Sequence, residues 1–237
     1  MRILKAGTRK SPLALRQVEE VIESLRKIGT EINVNIIGID TAGDKDRVTA
    51  ISDIEGTDFF TREIEEALLS GEVDFSVHSA KDLPDKIPDG LHIAAITESV
   101  DPYDALVSKN NLSIKDLPKG AKIAASSMRR KTQIRAFRDD FEIVDIRGNI
   151  GERLTEFDDS DLDAIVVASC ALKRLGLENR ITQRLPLEIL KTHPLQGSLA
   201  VETRQDNLEV IGLFSKIDTR LTSWYNGKLW RVREPSK

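Results

Sequence analysis

The chain has 237 residues, of which 40% are hydrophobic, enough for one large domain or two of ordinary size with buried cores. Its 39 acidic and 35 basic residues give a formal net charge of -4, which excludes a general basic surface for nucleic acid or membrane. A single cysteine, Cys170, excludes an internal disulfide and a multi-cysteine metal cluster. The first segment, "MRILKAGTRK", is unlike a signal peptide, and no long apolar run follows, so we expect a cytoplasmic protein.

Apolar runs typical of strands alternate with helical patterns along the chain. The first part contains strand "RILKAG", helix "LALRQVEEVIESLRKI", strand "INVNIIGI", a helix over 60–70, and strands "VDFSVH" and "LHIAAIT". Further strands are predicted at "KIAAS", "FEIVDI" and "DAIVVAS", with helices over 128–138, 150–157 and 207–217. This alternation predicts an α/β fold with largely parallel sheets.

A domain boundary is predicted near "ITESVDPYDALVS", where a strand-like segment runs into an Asp-Pro pair. The late segment "GSLAVETR" is expected to return as a strand of the first domain, so that the chain crosses twice between two domains. We therefore predict a discontinuous first domain, a second domain and a C-terminal tail with both tryptophans. Their bounds are 1–98 plus 196–218, then 99–195, and then 219–237.

Mostly cationic loops follow four of the predicted strands. In α/β folds, ligands bind at the carboxyl ends of strands, where loops lead into helix N-termini. The guanidinium fork matches carboxylate and phosphate groups, so converging arginines predict a site for a multiply anionic ligand. The alternative for any one of these arginines is a solvated surface cation. The candidate residues are Arg9, Ser11, Lys81, Ser126, Ser127, Arg129, Arg130, Arg147, Arg153 and Arg174.

Asp82 is the only acid that we assign to these cationic loops. It is the candidate for proton transfer or for stabilising a transient positive charge, and its alternative roles are helix N-cap and ion-pair partner of Lys81. We interpret His78 as a structural strand-end residue in preference to a base. Ser126 and Ser127 are interpreted as N-caps of the next helix, a geometry that also binds anions. "RGNIG" lacks the ending of a nucleotide-binding loop.

Cys170 lies where a predicted buried strand turns into a helix. The default interpretation is a small, buried, apolar residue. A reactive thiolate is the alternative, because Lys173 and Arg174 are close in sequence.

An ordered set of segments from about Ile3 to Asp206 resembles the hydroxymethylbilane synthase (porphobilinogen deaminase) family. The segments are "GTRKSPLAL", "FFTREIEEALLSGEVDFSVHSAKDLP", "DPYDALVS", "SSMRRKTQIRA", "IRGNIGERL", "DAIVVASCALKRLGL" and "QGSLAVETR". The resemblance implies an enzyme of tetrapyrrole biosynthesis that joins four porphobilinogen molecules head to tail, releases ammonia and makes hydroxymethylbilane. It also implies two bilobal α/β domains of type II periplasmic-binding-protein-like architecture, followed by a third domain.

The resemblance also assigns roles to residues of this chain. Asp82 would be the catalytic carboxylate, which assists loss of ammonia and stabilises the cationic intermediates. A dipyrromethane cofactor is implied, and no metal. The resemblance implies that substrate and cofactor carboxylates are held by Arg9, Ser11, Lys81, Ser127, Arg129, Arg130, Arg147, Arg153 and Arg174. We expect a monomer that binds porphobilinogen as a small-molecule substrate, without a nucleic-acid or membrane partner.

The sequence departs from the family pattern at three places. The family attaches its cofactor to a cysteine in the third domain, whereas the segment after "QGSLAVETR" contains no cysteine here. We therefore predict that the third domain is absent and that the cofactor is held noncovalently or by Cys170. The family's "GKGLF"-like turn reads "GTDFF", Gly56 to Phe60, and Tyr103 replaces an expected arginine.

Two other functions stay open as alternatives. A noncatalytic binding protein for an anionic pyrrole or another polycarboxylate would use the same cleft without turnover. A nucleic-acid module is disfavoured, because the chain is acidic and lacks the interleaved aromatic residues of a stacking platform.

Overall fold

The structure is a computed structural model, and it describes residues 2–46, 57–84 and 86–220. Most of the predicted tail, with Trp224 and Trp230, lies outside the described residues, as does Gly56 of the predicted turn. No helix in the described part of the chain has the length and apolar character needed to cross a membrane.

The described strands form two five-stranded sheets. The first sheet has the order β2-β1-β3-β10-β4, with β1 parallel to β2 and β3, and β10 antiparallel to β3 and β4. Its strands are β1 (Ile3–Arg9), β2 (Asn33–Ile39), β3 (Phe75–Ser79), β4 (Leu91–Ile96) and β10 (Leu199–Arg204). The late strand β10 therefore returns to the first sheet, as predicted.

The second sheet has the order β7-β6-β8-β5-β9. Strand β6 is parallel to β7 and β8, whereas β5 is antiparallel to β8 and β9. Its strands are β5 (Asp104–Ser108), β6 (Lys122–Ala124), β7 (Glu142–Val144), β8 (Ala164–Ala168) and β9 (Gln183–Arg184). All five come from within residues 104–184, so the sheet composition supports the predicted division into two domains, which stays a prediction.

The prediction of largely parallel sheets is wrong. In each sheet two of the four strand pairings are antiparallel. The antiparallel strands are β10 and β5, the first strands after the two crossings between the sheets. Hydrophobic periodicity reports which residues are buried and carries no information about strand direction, so the alternation alone overstates the parallel share.

The helices are α1 (Pro12–Lys27), α2 (Ala42–Lys45), α3 (Arg62–Leu69), α4 (Met128–Phe137), α5 (Ile150–Asp159), α6 (Ser169–Arg174) and α7 (Leu208–Phe214). The predicted helices over 60–70, 128–138, 150–157 and 207–217 correspond to α3, α4, α5 and α7. Helix α1 begins at a proline, and the side chain of Ser11 accepts a hydrogen bond from the Ala14 amide at 3.2 Å. Its apolar face belongs to one buried cluster with Phe75 of the first sheet and Phe214 of helix α7.

The two chain crossings between the sheets are held tightly together. Gly197 has a φ of +88°, and a Cβ there would lie 2.2 Å from the Ser99 hydroxyl and 2.6 Å from the Asp101 carbonyl oxygen. The Ser99 hydroxyl donates to the Gln196 carbonyl at 2.7 Å. Only glycine fits this backbone conformation and this close approach, so position 197 fixes where the crossings meet.

Candidate anion-binding and catalytic site

A cavity of about 460 Å³ is lined by loops from both sheets. The cationic loops among them follow the carboxyl ends of β1, β3, β6 and β7, where the strand pattern predicts the ligand, and a further segment follows β8. The predicted residues among its walls are Arg9, Ser11, Lys81, Asp82, Ser126, Ser127, Arg129, Arg130, Arg147, Arg153, Cys170 and Arg174. The structure thus brings every candidate residue to one cavity, and their roles in binding and catalysis stay predictions.

Two of the arginines are held by a buried carboxylate that the sequence analysis missed. Asp104 begins β5 and is fully buried. Its Oδ1 accepts from Arg130 Nη2 at 2.6 Å, and its Oδ2 accepts from Arg129 Nη2 at 2.7 Å. Gln196 Nε2 donates to the same Oδ1 at 3.0 Å. These cations hold the pKa of the Asp104 carboxyl far below its usual range despite burial, which by itself raises it.

Arg9 is paired with a second acid that the analysis missed. Arg9 Nε donates to both oxygens of Asp44, at 3.0 and 3.1 Å, and Arg9 Nη2 also donates to this carboxylate. The guanidinium carbon lies 4.5 Å from the centroid of the Phe60 ring. An anionic ligand that binds Arg9 therefore competes with an internal carboxylate.

Arg174 joins helix α6 to helix α1. Its Nε and Nη2 donate to the Glu20 carboxylate at 2.8 and 2.9 Å, and Nη2 also donates to the Gly197 carbonyl at 2.8 Å. The guanidinium is nearly buried. The structure therefore gives Arg174 a role in holding the two sheets together, in addition to its predicted contact with a ligand.

Arg147 and Arg153 differ from the other arginines of the cavity, because neither forms a salt bridge with a residue in the described ranges. Arg147 Nη2 donates to the Asp46 carbonyl at 2.7 Å, and Arg153 Nε donates to the Gly148 carbonyl at 2.7 Å. The buried Nε of Arg147 has no hydrogen-bond partner among the described atoms. Burial and the neighbouring charges of Arg130 and Arg147 lower the pKa of Arg153 to about 10. The charge of Asp82 acts in the opposite direction, but no carboxylate in the described ranges forms a salt bridge with Arg147 or Arg153, which favours an anionic ligand.

We expect the Arg153→Gln variant to bind citrate, a tricarboxylate probe, roughly 10- to 100-fold more weakly than the unmodified protein. A hydrogen bond to a charged group contributes about 1.5–3 kcal/mol, and each 1.4 kcal/mol is tenfold in affinity. Isothermal titration calorimetry measures the effect. Arg135→Gln is the matched control, because Arg135 lies on the exposed surface of helix α4. Equal citrate affinities for Arg153→Gln and Arg135→Gln would contradict the prediction that Arg153 binds the carboxylates of a ligand.

Asp82 ends a short 3-10 turn, Ala80–Asp82, that follows strand β3 directly. Its carboxylate is exposed to the cavity and forms no hydrogen bond or salt bridge with the described residues. The two alternative roles of Asp82, helix N-cap and ion-pair partner of Lys81, are not seen among the described residues. Lys81 Nζ donates instead to Gln196 Oε1 at 3.5 Å. The interpretation of Asp82 as the only acid is wrong for the cavity as a whole, which is also lined by Asp40, Asp44, Asp46 and Glu152.

The two serines before helix α4 differ from each other. Ser127 occupies the N-cap position, as predicted, and its side chain makes no capping hydrogen bond. Ser126 lies before the cap and donates from its buried hydroxyl to the Ile146 carbonyl at 2.8 Å, so its predicted capping role is wrong. A short side chain next to a helix start has a choice of partners, and the loop after β7 provides the acceptor here.

Cys170 is buried at the start of helix α6 and packs with Ala168 and Ala171 while it lines the cavity. Burial raises the pKa of the Cys170 thiol above its ordinary value, although the charges of Lys81 and Arg174 act in the opposite direction. The structure therefore favours the default interpretation of a small buried residue over a reactive thiolate.

The fold and the cavity define a two-lobed α/β protein with a cationic cleft between its sheets. The family model described as "Porphobilinogen deaminase, dipyromethane cofactor binding domain" matches residues 4–212. The porphobilinogen deaminase of Syntrophomonas wolfei is 45% identical over 218 residues, which are 92% of this chain and 71% of the relative. That of Xanthomonas axonopodis pv. citri is 42% identical over 222 residues, 94% of this chain and 73% of the relative. The chain belongs to the porphobilinogen deaminase family, and it spans roughly seven tenths of the length of these relatives.

Solved structures support the predicted architecture. The methionine-binding protein MetQ matches with a TM-score of 0.51 and 14% identity, over 91% of this chain and 89% of that one. A lipoprotein from Bacillus subtilis matches with the same TM-score, identity and coverage. The fold is that of type II periplasmic binding proteins, as predicted, and at this identity the likeness concerns the fold alone.

Proposed function

We propose that this chain joins porphobilinogen molecules head to tail into hydroxymethylbilane, with release of one ammonia at each step. The observation that carries the proposal is that one cavity holds both a carboxylate and two guanidinium groups that form no salt bridge with the described residues. Asp82 presents a carboxylate without a salt bridge, and Arg147 and Arg153 present cations without one, among the described residues. A reaction that binds carboxylates and passes through a cation requires both features.

The substrate would be bound through its acetate and propionate groups. Each added pyrrole brings two more carboxylates, so the growing chain needs many cations and benefits from arginine forks. Arg147 and Arg153 are the first candidates, because no internal carboxylate competes for them in the described part of the chain. Lys81 and Ser127, which also line the cavity, add donors next to Asp82.

The Asp82 carboxylate would act on the reacting carbon. The protonated amino group leaves as ammonia with the electron pair of its C–N bond, and the methylene carbon that stays on the pyrrole becomes part of a cation, which the facing carboxylate stabilises. A C–C bond then forms to the neighbouring pyrrole, and Asp82 accepts the ring proton that this bond displaces. Its exposure within the cavity, and the absence of a hydrogen-bond or salt-bridge partner for it in the described ranges, leave both oxygens available for these steps.

The cavity also fits an anionic dipyrromethane cofactor. The buried Nε of Arg147 lacks a hydrogen-bond partner in the described part of the chain, and neither Arg147 nor Arg153 forms a salt bridge there, as expected for a site that holds polycarboxylates. Lys81, Ser127, Arg129 and Arg174 would hold its carboxylates. When bound, the cofactor supplies the pyrrole carbon to which the first substrate is joined. We propose noncovalent retention within this chain, since the Cys170 thiol is buried and its pKa is raised.

Incubation of the purified protein with porphobilinogen tests the proposal. We expect ammonia and a linear tetrapyrrole, which closes spontaneously to uroporphyrinogen I and is detected as uroporphyrin I after oxidation. Tight binding of porphobilinogen without product would instead support the noncatalytic binding protein. The predicted cytoplasmic location and the monomeric state remain parts of this proposal.

The Cys170→Ser variant is expected to keep the turnover of the unmodified protein within about twofold, because a buried, protonated thiol is a poor nucleophile and the change is nearly isosteric. Intact mass spectrometry of the denatured protein provides the second measurement, and we expect no pyrrole adduct on Cys170. A dipyrromethane adduct that disappears in Cys170→Ser would establish covalent attachment and contradict noncovalent retention.

A further inference from the structure

Two buried carboxylates lie on the face of the first sheet that is covered by helix α3. Glu65 of α3 is 4% exposed, and Glu202 of β10 is fully buried. Oε1 of each has no hydrogen-bond partner among the described residues. A buried, ionised carboxylate with an unsatisfied oxygen is costly, so this pair requires an explanation that the proposed reaction does not give.

His78 is the basic group next to this pair, and it contacts Glu202. Its Nε2 lies 3.1 Å from Glu202 Oε2 and 2.7 Å from the hydroxyl oxygen of Ser76, and all three residues are buried. Strand β3 provides His78 and Ser76, β10 provides Glu202 and α3 provides Glu65. Arg9, on the neighbouring strand β1, is bound to Asp44 instead.

The charges of this group do not balance if both carboxylates are ionised. Even a fully protonated His78 supplies one positive charge against two negative ones, which leaves a net buried negative charge. One proton retained on a carboxyl group, in addition to the proton on His78, removes the imbalance and makes one of the unsatisfied carboxyl groups a hydrogen-bond donor. Burial and the charge of Glu202 both raise the pKa of Glu65, whereas Thr61 and His78 act in the opposite direction.

A second, smaller cavity of about 90 Å³ separates this group from the proposed catalytic carboxylate. Both His78 and Asp82 line it, together with Thr8, Gln17, Thr61 and Ser79 among others. A buried water needs about 10–15 Å³ of such space and two to four polar partners. The cavity therefore has room and polar walls for several waters between His78 and Asp82.

We propose that Glu65, Glu202 and His78 form a buried proton-binding site, in which one carboxyl group stays protonated at neutral pH and exchanges its proton with Asp82 through water in the small cavity. In the exchange, an N–H bond of protonated His78 breaks to a water in the small cavity, that water gives one of its own protons to the Asp82 carboxylate, and the protonated carboxyl group of the pair gives its proton to His78. The reverse steps return the proton to the pair. The exchange with Asp82 rests on the proposed function, whereas the retained proton does not.

Carbon-13 NMR of the protein labelled at glutamate carboxyl carbons tests the retained proton without any substrate. We expect one glutamate resonance to keep the chemical shift of a protonated acid at pH 7 and to disappear in the Glu65→Gln or the Glu202→Gln variant. Glu66→Gln is the matched control, because Glu66 is the next residue of α3 and is exposed. If every glutamate resonance of the unmodified protein titrates in the ordinary range, the proposal is wrong.

The exchange with Asp82 is tested by carbon-13 NMR of the protein labelled at aspartate carboxyl carbons. The Asp82 resonance is assigned as the one that disappears in the Asp82→Asn variant. We expect the Asp82 resonance to shift a second time at the pH where the buried pair titrates. The second shift should be lost in Glu65→Gln and retained in Glu66→Gln. A second shift that is absent, or that survives in Glu65→Gln, would overturn the coupling. Because neither measurement needs turnover, failure of the porphobilinogen assay would leave both results interpretable.

Discussion

The Asp82→Asn variant is expected to lose about 10²- to 10⁴-fold in turnover of porphobilinogen while its affinity for the substrate changes little. The amide has nearly the size and shape of the carboxylate, and it neither accepts the ring proton nor stabilises a facing cation, which accounts for a loss of this size. Binding should survive because, in the proposed function, the carboxylate groups of the substrate are held by Arg147 and Arg153, which line the same cavity. A kcat decrease with a nearly unchanged KM is the expected pattern.

Asp139→Asn is a suitable control for this experiment. Asp139 is an exposed aspartate that lies outside the cavity, and its change removes the same charge from the protein. Turnover within about twofold of the unmodified protein is expected for the control. If Asp82→Asn also keeps its turnover, the carboxylate has no part in the reaction.

The Asp104→Asn variant is expected to lose about 3–5 kcal/mol of unfolding free energy, the usual cost of removing one partner from a buried ion pair. Arg130 would remain buried without its counter-ion, and Arg129 would lose its contact at 2.7 Å. Urea denaturation measures the loss. Asp158→Asn removes the partner of Arg180 from a solvent-exposed pair of similar length, 2.6 Å, and should cost about 0–1 kcal/mol.

The ion pair of Asp104 with Arg129 and Arg130 also predicts how the unfolding free energy changes with pH. The pKa of Asp104 is lowered in the folded protein, so its contribution to stability is present above the ordinary aspartate pKa of 3.8 and is lost as the pH falls below it. The difference in unfolding free energy between Asp104→Asn and the unmodified protein should therefore shrink on acidification. A difference that stays constant from pH 6 to about pH 3 would contradict the ion-pair explanation.

Most of the strands and helices, and the cationic loops that line the cavity, could be predicted from the sequence, because both depend on local patterns. The strands and the main helices follow from the spacing of apolar residues, and the cationic loops follow from their positions after strands. The convergence of Asp82 with Arg147 and Arg153 is a consequence of strand ends meeting in space, a rule that needs no coordinates.

The partners of the arginines could not be predicted in this way. Glu20 is 154 positions away from Arg174 in the chain, and Asp104 is 26 positions away from Arg130. Nothing in the local pattern distinguishes an arginine that is neutralised internally from one that is available to a ligand. The ordered motifs identify the residue types of the site, whereas only the packing separates Arg130, which is largely buried against Asp104, from Arg153, which lacks a described carboxylate partner.

The return of β10 to the first sheet determines when that sheet can be completed during synthesis. Strands β3 and β4 are neighbours in sequence, yet they pair only through β10, which begins at Leu199. Until the ribosome has released that segment, both strands keep an open edge, which is the kind of surface that promotes aggregation. The second sheet, complete by residue 184, is therefore ready to assemble first, although its residues are made later than most of the first.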